Sequence, residues 1–217
     1  MAEGDRGMKS FQEEITDLSP QQVILGIGGS PRKDGNTDIL LDHIIAGATS
    51  KNLETERVLL RDHQFQPCSG CERCRTDGIC TGLHDDMTPL YNKIVRASGL
   101  VLVSPVHNYN VTSWMKAFID RLYCFYDFTD DRPRGWSSRL ADQGRKAVVA
   151  AVCEQVSKDD MGFTLEAMRR PLEALGYEIV GGLAVFGIFD RGKVRDDPEV
   201  LSQATRFGSA LADALVR

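Results

Sequence analysis

The chain has 217 residues, of which 42% are hydrophobic and 26% are charged, and its formal net charge at pH 7 is −5. This length and balance predict one α/β domain with a sizeable core, and the acidic charge argues against a nucleic-acid-binding surface. No apolar run approaches the roughly 20 residues of a membrane span, and the first residues lack the apolar segment of a signal peptide. The sequence therefore predicts a cytoplasmic protein that binds neither nucleic acid nor a membrane.

The first 20 residues differ from the rest of the chain. Residues 1–20 are polar and show no periodicity, so we expect an N-terminal arm that is disordered or docks on a partner subunit. Residues 21–217 contain no internal repeat, low-complexity segment or linker. They therefore predict a single domain.

Strand-like and helix-like segments alternate along this domain. The five predicted strands are apolar and cover 23–27, 55–60, 100–105, 147–152 and 177–186. The predicted helices cover 37–49, 85–96, 160–175 and 197–217, and one more follows Thr112 or Ser113 as its cap. Residues 127–145 are charged and contain Pro133, Gly135 and Gly144, which predicts a long loop.

This alternation predicts a parallel sheet with helices on both faces and right-handed crossovers. Ligands of such sheets bind beyond the carboxyl ends of the strands, where the strand order reverses. In the order 2-1-3-4-5 the ends of the first and third strands are neighbours at that point. That order would bring together the two most unusual loops of the sequence.

The loop after the first strand carries groups suited to phosphate. Its turn into a helix directs backbone N–H groups and the positive helix end toward one point. Ser30, Asn36 and Thr37 add side-chain hydrogen-bonding groups, and Asn36 or Thr37 would cap the helix. Arg32 adds a guanidinium that can bind phosphate oxygens. The alternative interpretation is an ordinary strand-to-helix turn.

The loop after the third strand carries two rings and two amides. Its candidate ligand-binding residues are Pro105, Val106, His107, Asn108 and Tyr109. Such a loop can lay apolar surface along a flat ring while its polar groups meet the edge of that ring. Together with a phosphate loop it predicts FMN, which joins a flat ring to a phosphorylated tail. In the alternative interpretation His107 and Tyr109 only pack at the end of the strand.

Four of the six cysteines lie in a cysteine-rich loop, 62–84, with the spacing C-x2-C-x2-C-x5-C. They are Cys68, Cys71, Cys74 and Cys80. This compact spacing is typical of the ligands of a [4Fe–4S] cluster. A zinc site of four cysteines prefers two separated pairs, and a loop without a metal is the other alternative. Cys124 and Cys153 are predicted to be small packing residues, although the segment 153–155 is a third candidate to touch the flavin.

Both loops resemble signatures of the NAD(P)H-dependent FMN reductase family of flavodoxin-like proteins. The first signature is Gly28-Gly29-Ser30-Pro31-Arg32 with Gly35-Asn36-Thr37 behind it. The second is Ser104-Pro105-Val106-His107 followed by Lys116-Ala117-Phe118-Ile119-Asp120-Arg121, with His107 where the family more often has tyrosine. The cysteine spacing and Asp85-Asp86-Met87 resemble the iron–sulfur flavoprotein branch of this family. The resemblance covers roughly residues 22–190.

The resemblance implies a flavodoxin-like three-layer sandwich around a five-stranded parallel sheet in the order 2-1-3-4-5. It implies that the first loop holds the FMN phosphate, that the second loop lines the flavin, and that the four cysteines ligate the cluster. It also implies a homodimer or homotetramer with NAD(P)H as a candidate electron donor. No catalytic side chain is assigned, because the flavin carries out the difficult chemistry.

We therefore expect an FMN-dependent oxidoreductase that transfers electrons between a reduced donor, FMN and a [4Fe–4S] cluster. The donor and the acceptor are small molecules or proteins. Three alternatives stay open: an electron carrier without small-molecule catalysis, a cluster-free FMN reductase, and a redox sensor.

Overall fold

The structure, a computed structural model, describes residues 18–216. Its strands are β1 (Gln21–Gly28), β2 (Glu54–Leu59), β3 (Ala97–Pro105), β4 (Tyr126–Phe128), β5 (Trp136–Ser138), β6 (Lys146–Val152) and β7 (Glu178–Val185). Five of them form a parallel sheet in the order β2-β1-β3-β6-β7. Counted within this sheet the order is 2-1-3-4-5, so the predicted flavodoxin-like topology is confirmed.

Helices cover both faces of the sheet. They are α1 (Asn36–Thr49), α2 (Cys74–Asp77), α3 (Thr88–Arg96), α4 (Ser113–Arg121), α5 (Lys158–Met161), α6 (Thr164–Ala174) and α7 (Pro198–Val216). Short 3-10 turns follow β2, α4 and β7 at Leu60–Asp62, Leu122–Phe125 and Lys193–Asp196. Among residues 18–216 no helix is both long enough and apolar enough to cross a membrane.

Each face of the sheet carries its own hydrophobic core, because successive strand residues point to opposite faces. Leu100 and Leu102 pack into one core together with α3, α4 and α6, whereas Val101 and Val103 pack into the other with α1 and α7. Helices α1 and α7 cross closely at Gly47 and Gly208, where a Cβ atom would overlap a main-chain carbonyl of the opposite helix. The result is the three-layer arrangement that the alternating sequence predicts.

Three local predictions are wrong. The predicted loop 127–145 contains an antiparallel ribbon of β4 and β5, in which Phe128 pairs with Trp136. The second helix begins at Thr88 rather than at residue 85, since the carboxylates of Asp85 and Asp86 accept hydrogen bonds from the backbone of the cysteine-rich loop instead. Helix α1 is capped by Gly35 without any side-chain hydrogen bond, so neither Asn36 nor Thr37 is the cap.

Of the other boundaries, the predicted helix 160–175 is divided into α5 and α6, with Gly162 and Phe163 between them. Thr112 caps α4 as predicted, and its hydroxyl accepts a hydrogen bond from the amide of Met115. The predicted N-terminal arm, residues 1–20, lies outside the described residues apart from its last three. Of these, Leu18 packs against the core and its carbonyl accepts a 2.8 Å hydrogen bond from Arg145.

Candidate functional site

One pocket lies at the carboxyl ends of β1, β3, β6 and β7. Its lining residues come from the ends of these strands, the loops that follow them and the first turn of α1. They are Ser30, Pro31, Arg32, Asn36, Thr37, Pro105, Val106, His107, Val152, Glu154, Ile188 and Phe189. Seven of the nine predicted flavin-site residues are among them. Glu154 supports the third contact segment that the sequence suggested at 153–155.

The loop after β1 is fixed against the start of α4. The amide of Gly29 donates a 2.8 Å hydrogen bond to the carbonyl of Val103, and the hydroxyl of Thr112 donates a 2.7 Å hydrogen bond to the carbonyl of Gly29. The hydroxyl oxygen of Ser30 accepts a 3.1 Å bond from the amide of Arg32, which closes the turn. Because α1 has no side-chain cap, the N–H groups of its first turn are available to a ligand.

Two of the predicted phosphate-binding residues also hold the loop that follows β7. The side-chain nitrogen of Asn36 donates a 2.9 Å hydrogen bond to the carbonyl of Asp190, and its side-chain oxygen accepts a 3.1 Å hydrogen bond from the backbone N–H of Val194. The guanidinium of Arg32 lies 4.4 Å from the centre of the Phe189 ring and donates to the Phe189 carbonyl at 2.9 Å. Arg32 is therefore held at the pocket, whereas Asn36 mainly joins two of its walls.

The loop after β3 forms a tight turn whose tip projects beyond the pocket. His107 and Asn110 exchange two backbone hydrogen bonds, at 2.8 and 3.1 Å. The two residues between them, Asn108 and Tyr109, have φ angles of 48° and 62°, as a type I′ turn requires. Neither lines the pocket, and Tyr109 is 60% exposed. The structure thus separates these two predicted contacts from the other seven residues.

Sequence reasoning missed the wall formed by Ile188 and Phe189. No motif marks the segment after β7, so residue type alone gave no signal. The topology did contain a signal for this segment, because the carboxyl ends of neighbouring parallel strands open toward the same edge of the sheet. Once the order of the strands is accepted, the loop after the last strand is also a candidate.

The four predicted metal ligands line a second cavity, which has a volume of about 250 Å³. Cys68 and Cys71 are exposed and Cys74 and Cys80 are half-buried, and all four are free thiols. Gly82 leaves room for the Cys71 sulfur, because a Cβ atom there would lie 2.6 Å from it. Within residues 18–216, however, no three His, Cys, Asp or Glu side chains converge closely enough to bind a single metal ion.

The thiols of this cavity influence one another. Burial and the neighbouring thiolates of Cys80, Cys68 and Cys71 raise the pKa of Cys74 to about 11. Hydrogen bonds from the backbone of Arg73 and from the Ser69 side chain lower the pKa of Cys71. A bound metal core would relieve the repulsion by replacing the thiol protons with positive charge.

The remaining cysteines are packing residues, as predicted. Cys124 and Cys153 are buried at 2% and 3% exposure and belong to the core. Burial raises the pKa of Cys124 well above its usual value, so its thiol stays protonated.

Both ends of the cysteine-rich loop are fixed to the last residue of α4. The fully buried guanidinium of Arg121 donates to Asp85 at 2.7 and 3.2 Å and to the carbonyl of Gln66 at 2.9 Å. Asp85 also accepts from the backbone N–H groups of Gln66 and Met87. Burial alone would raise the pKa of Asp85, but these hydrogen bonds hold it below its ordinary value. One helix therefore connects the two candidate sites.

A sheet of this order, with a strand-to-helix turn and a pocket at its topological switch point, defines a flavodoxin-like α/β protein. The chain matches the family described as NADPH-dependent FMN reductase over residues 23–184. It belongs to this family and is a flavin-dependent oxidoreductase. The family resemblance stated from the two loops is thus confirmed.

Individual relatives agree with this assignment. An iron–sulfur flavoprotein of Archaeoglobus fulgidus is 32% identical over 190 residues, which are 88% of this chain and 79% of the relative. An iron–sulfur flavoprotein of Methanocaldococcus jannaschii is 36% identical over 98 residues, 45% of this chain and 50% of the relative. The solved structure of an FMN-dependent NADH-azoreductase from Bacillus anthracis, in complex with FMN, has a TM-score of 0.62 at 18% identity, over 90% of this chain and 100% of that one. At that identity the likeness concerns the fold alone.

Proposed function

We propose that this protein is an FMN-dependent oxidoreductase that transfers electrons between a reduced donor, FMN and a [4Fe–4S] cluster. The observation that carries the proposal is the pairing of two cavities at the two ends of α4. Thr112 at the start of the helix contacts the phosphate-type loop, and Arg121 at its end contacts the cysteine-rich loop. Nine residues at 1.5 Å each place these two anchors about 13 Å apart.

The first cavity carries groups that suit the phosphate and the ring of FMN. The uncapped start of α1, with Ser30, Arg32, Asn36 and Thr37 around it, would hold the phosphate. Pro105, Val106 and His107 would lie along the flavin ring. When bound, FMN supplies the ability to take up two electrons together and release them one at a time.

The second cavity suits a cluster better than a single ion. Four free thiols line a cavity of about 250 Å³, which has room for more than a single ion. Their spacing along the chain, with three thiols two residues apart and a fourth after five more residues, is that of cluster ligands and differs from the two separated pairs of a zinc site. Cys68, Cys71, Cys74 and Cys80 would therefore each bind one corner of a larger metal core.

The assembly, the location and the electron donor of the protein are part of the same proposal. The exposed side chains of Tyr109 and Phe163, two residues joined by a 2.8 Å backbone hydrogen bond, support a homodimer or homotetramer, since exposed apolar surface is often covered by a partner. Four free thiols that bind a cluster would need a reducing compartment, which supports a cytoplasmic location. NADH, NADPH and a reduced electron-transfer protein are the candidate donors.

The proposal is tested by mixing the anaerobic protein with NADH or NADPH and following flavin and cluster absorbance separately. We expect flavin bleaching followed by slower bleaching of the cluster. The variant Cys74→Ser should keep the first phase and lose the second. Flavin bleaching without any cluster signal in either protein would support the cluster-free reductase. No bleaching with either nucleotide would support an electron carrier instead.

A further inference from the structure

A buried ion pair lies behind the phosphate-type loop, outside the pocket itself. It joins Arg61, in the 3-10 turn after β2, to Asp38, in the first turn of α1. The side chains of Arg61 and Asp38 are only 10% and 2% exposed. The two guanidinium nitrogens donate to the two carboxylate oxygens at 2.9 and 2.8 Å, which is the bidentate geometry specific to arginine.

The same pair holds the main chain of the loop. One nitrogen of Arg61 also donates to the carbonyls of Ser30 and Arg32, each at 3.3 Å. The carboxylate of Asp38 accepts a 2.9 Å hydrogen bond from the backbone N–H of Asp34. The loop is therefore fixed at its beginning, middle and end by two side chains that do not line the pocket.

Two physical consequences follow for a phosphate bound at this loop. Carbonyls that point toward Arg61 do not point toward the phosphate, which they would repel. Asp38 carries a negative charge in the first turn of α1, beside the proposed phosphate site, and Arg61 compensates that charge. Without Arg61, a buried and uncompensated carboxylate would oppose the phosphate dianion directly.

We propose that Arg61 and Asp38 are positioning residues for the phosphate loop, and that Arg61 sets the preference of this chain for FMN over riboflavin. This inference rests on the proposed FMN site. It assigns neither residue to the redox chemistry. A change at Arg61 should weaken the binding of FMN and leave the binding of riboflavin nearly unchanged, because riboflavin has the same ring as FMN but carries no phosphate.

The test is a titration of the full-length, flavin-free protein with FMN and with riboflavin, followed by flavin fluorescence. We expect Arg61→Gln to raise the Kd for FMN roughly tenfold to hundredfold, which corresponds to about 1.4 to 2.8 kcal/mol. The Kd for riboflavin should change less than about twofold. The ratio of the Kd for riboflavin to the Kd for FMN, which measures the preference for FMN, therefore falls.

Arg57→Gln is a matched control. Arg57 lies on the preceding strand and pairs with Asp42 of the same helix α1 at 2.9 Å, but both side chains are exposed and neither touches the loop. Both constants should stay within about twofold of the wild type. An Arg61→Gln protein that keeps the wild-type ratio would overturn the inference.

A second variant keeps the inference testable if Arg61→Gln does not fold. Arg61→Lys retains the charge but cannot make the bidentate contact and the two carbonyl contacts together. It should lower the FMN-to-riboflavin preference about threefold to tenfold, and an unchanged ratio in this variant would equally overturn the inference. A wild-type protein without any preference for FMN would refute the proposed phosphate site instead, so the two failures are distinguishable.

Discussion

Replacing Asp85 by asparagine should release the cysteine-rich loop from α4 and destabilise the whole domain. The carboxylate of Asp85 accepts four hydrogen bonds, two from Arg121 and one each from the backbone N–H groups of Gln66 and Met87. Asparagine keeps nearly the same shape but removes the charge. The fully buried guanidinium of Arg121 would then have no counterion.

The expected loss in the free energy of unfolding follows from the burial of Arg121. Removing one partner of a buried ion pair costs about 3–5 kcal/mol, because the remaining charge stays desolvated and unpaired. The side-chain oxygen of asparagine can still accept some of the backbone hydrogen bonds, so we expect a loss near the lower end, about 3 kcal/mol. That is a large part of the roughly 5–15 kcal/mol by which a domain is stable.

The assay is urea unfolding at pH 7, with Asp86→Asn as the matched control. Asp86 is the adjacent residue and is exposed, and its carboxylate accepts one hydrogen bond, from the backbone N–H of Gln64. We expect this control to lose about 1 kcal/mol or less. If Asp85→Asn lost no more than Asp86→Asn, the reasoning that Arg121 and Asp85 close the cysteine-rich loop would be refuted.

Three more predictions concern Asp85, the cysteines and the buried Arg145. Because Asp85 has a lowered pKa in the folded state, its contribution to the free energy of unfolding is complete above the unfolded pKa of about 4 and is lost as the pH falls further. The free energies of unfolding of wild type and Asp85→Asn should therefore converge in acid. A difference between the two proteins that stays constant down to pH 2 would contradict this. Cys74→Ser should bind less than about a tenth of the wild-type iron after anaerobic reconstitution, whereas Cys124→Ala, which changes a buried core thiol, should bind the wild-type amount. Arg145→Met should lower the free energy of unfolding in urea by roughly 3 kcal/mol. Arg145 is 1% exposed and donates to main-chain carbonyls at the end of α3, which would lose their partners. A loss below about 1 kcal/mol would contradict that role.

The sheet could be predicted because its central strands β1, β3 and β6 contain apolar runs, which is what burial on both faces requires. The ribbon of β4 and β5 could not, since each strand has three residues and charged residues separate them. Its pairing depends on aromatic contacts across the ribbon, such as Tyr126 against Trp136 with ring centres 5.5 Å apart. Contacts of this kind become visible only after the chain has folded.

The candidate site also contains residues that could be predicted from the sequence and residues that could not. Residues within a contiguous motif, such as Ser30 and Arg32, could be identified from the sequence, and the structure brings them to one pocket. Arg61 could not, because a single arginine after a strand looks like an ordinary surface charge. Its partner Asp38 is 23 residues away, and only the packing of β2 beside β1 brings the two together. Phe189 escaped notice for a similar reason, since its loop carries no motif.

The central claim is that one chain holds a flavin at the first cavity and an iron–sulfur core at the four thiols. The most direct measurement is the content of FMN and iron per chain in protein purified and reconstituted without oxygen. The account predicts about one FMN and about four irons per chain. Protein that lacks either the flavin or the iron under these conditions would contradict it.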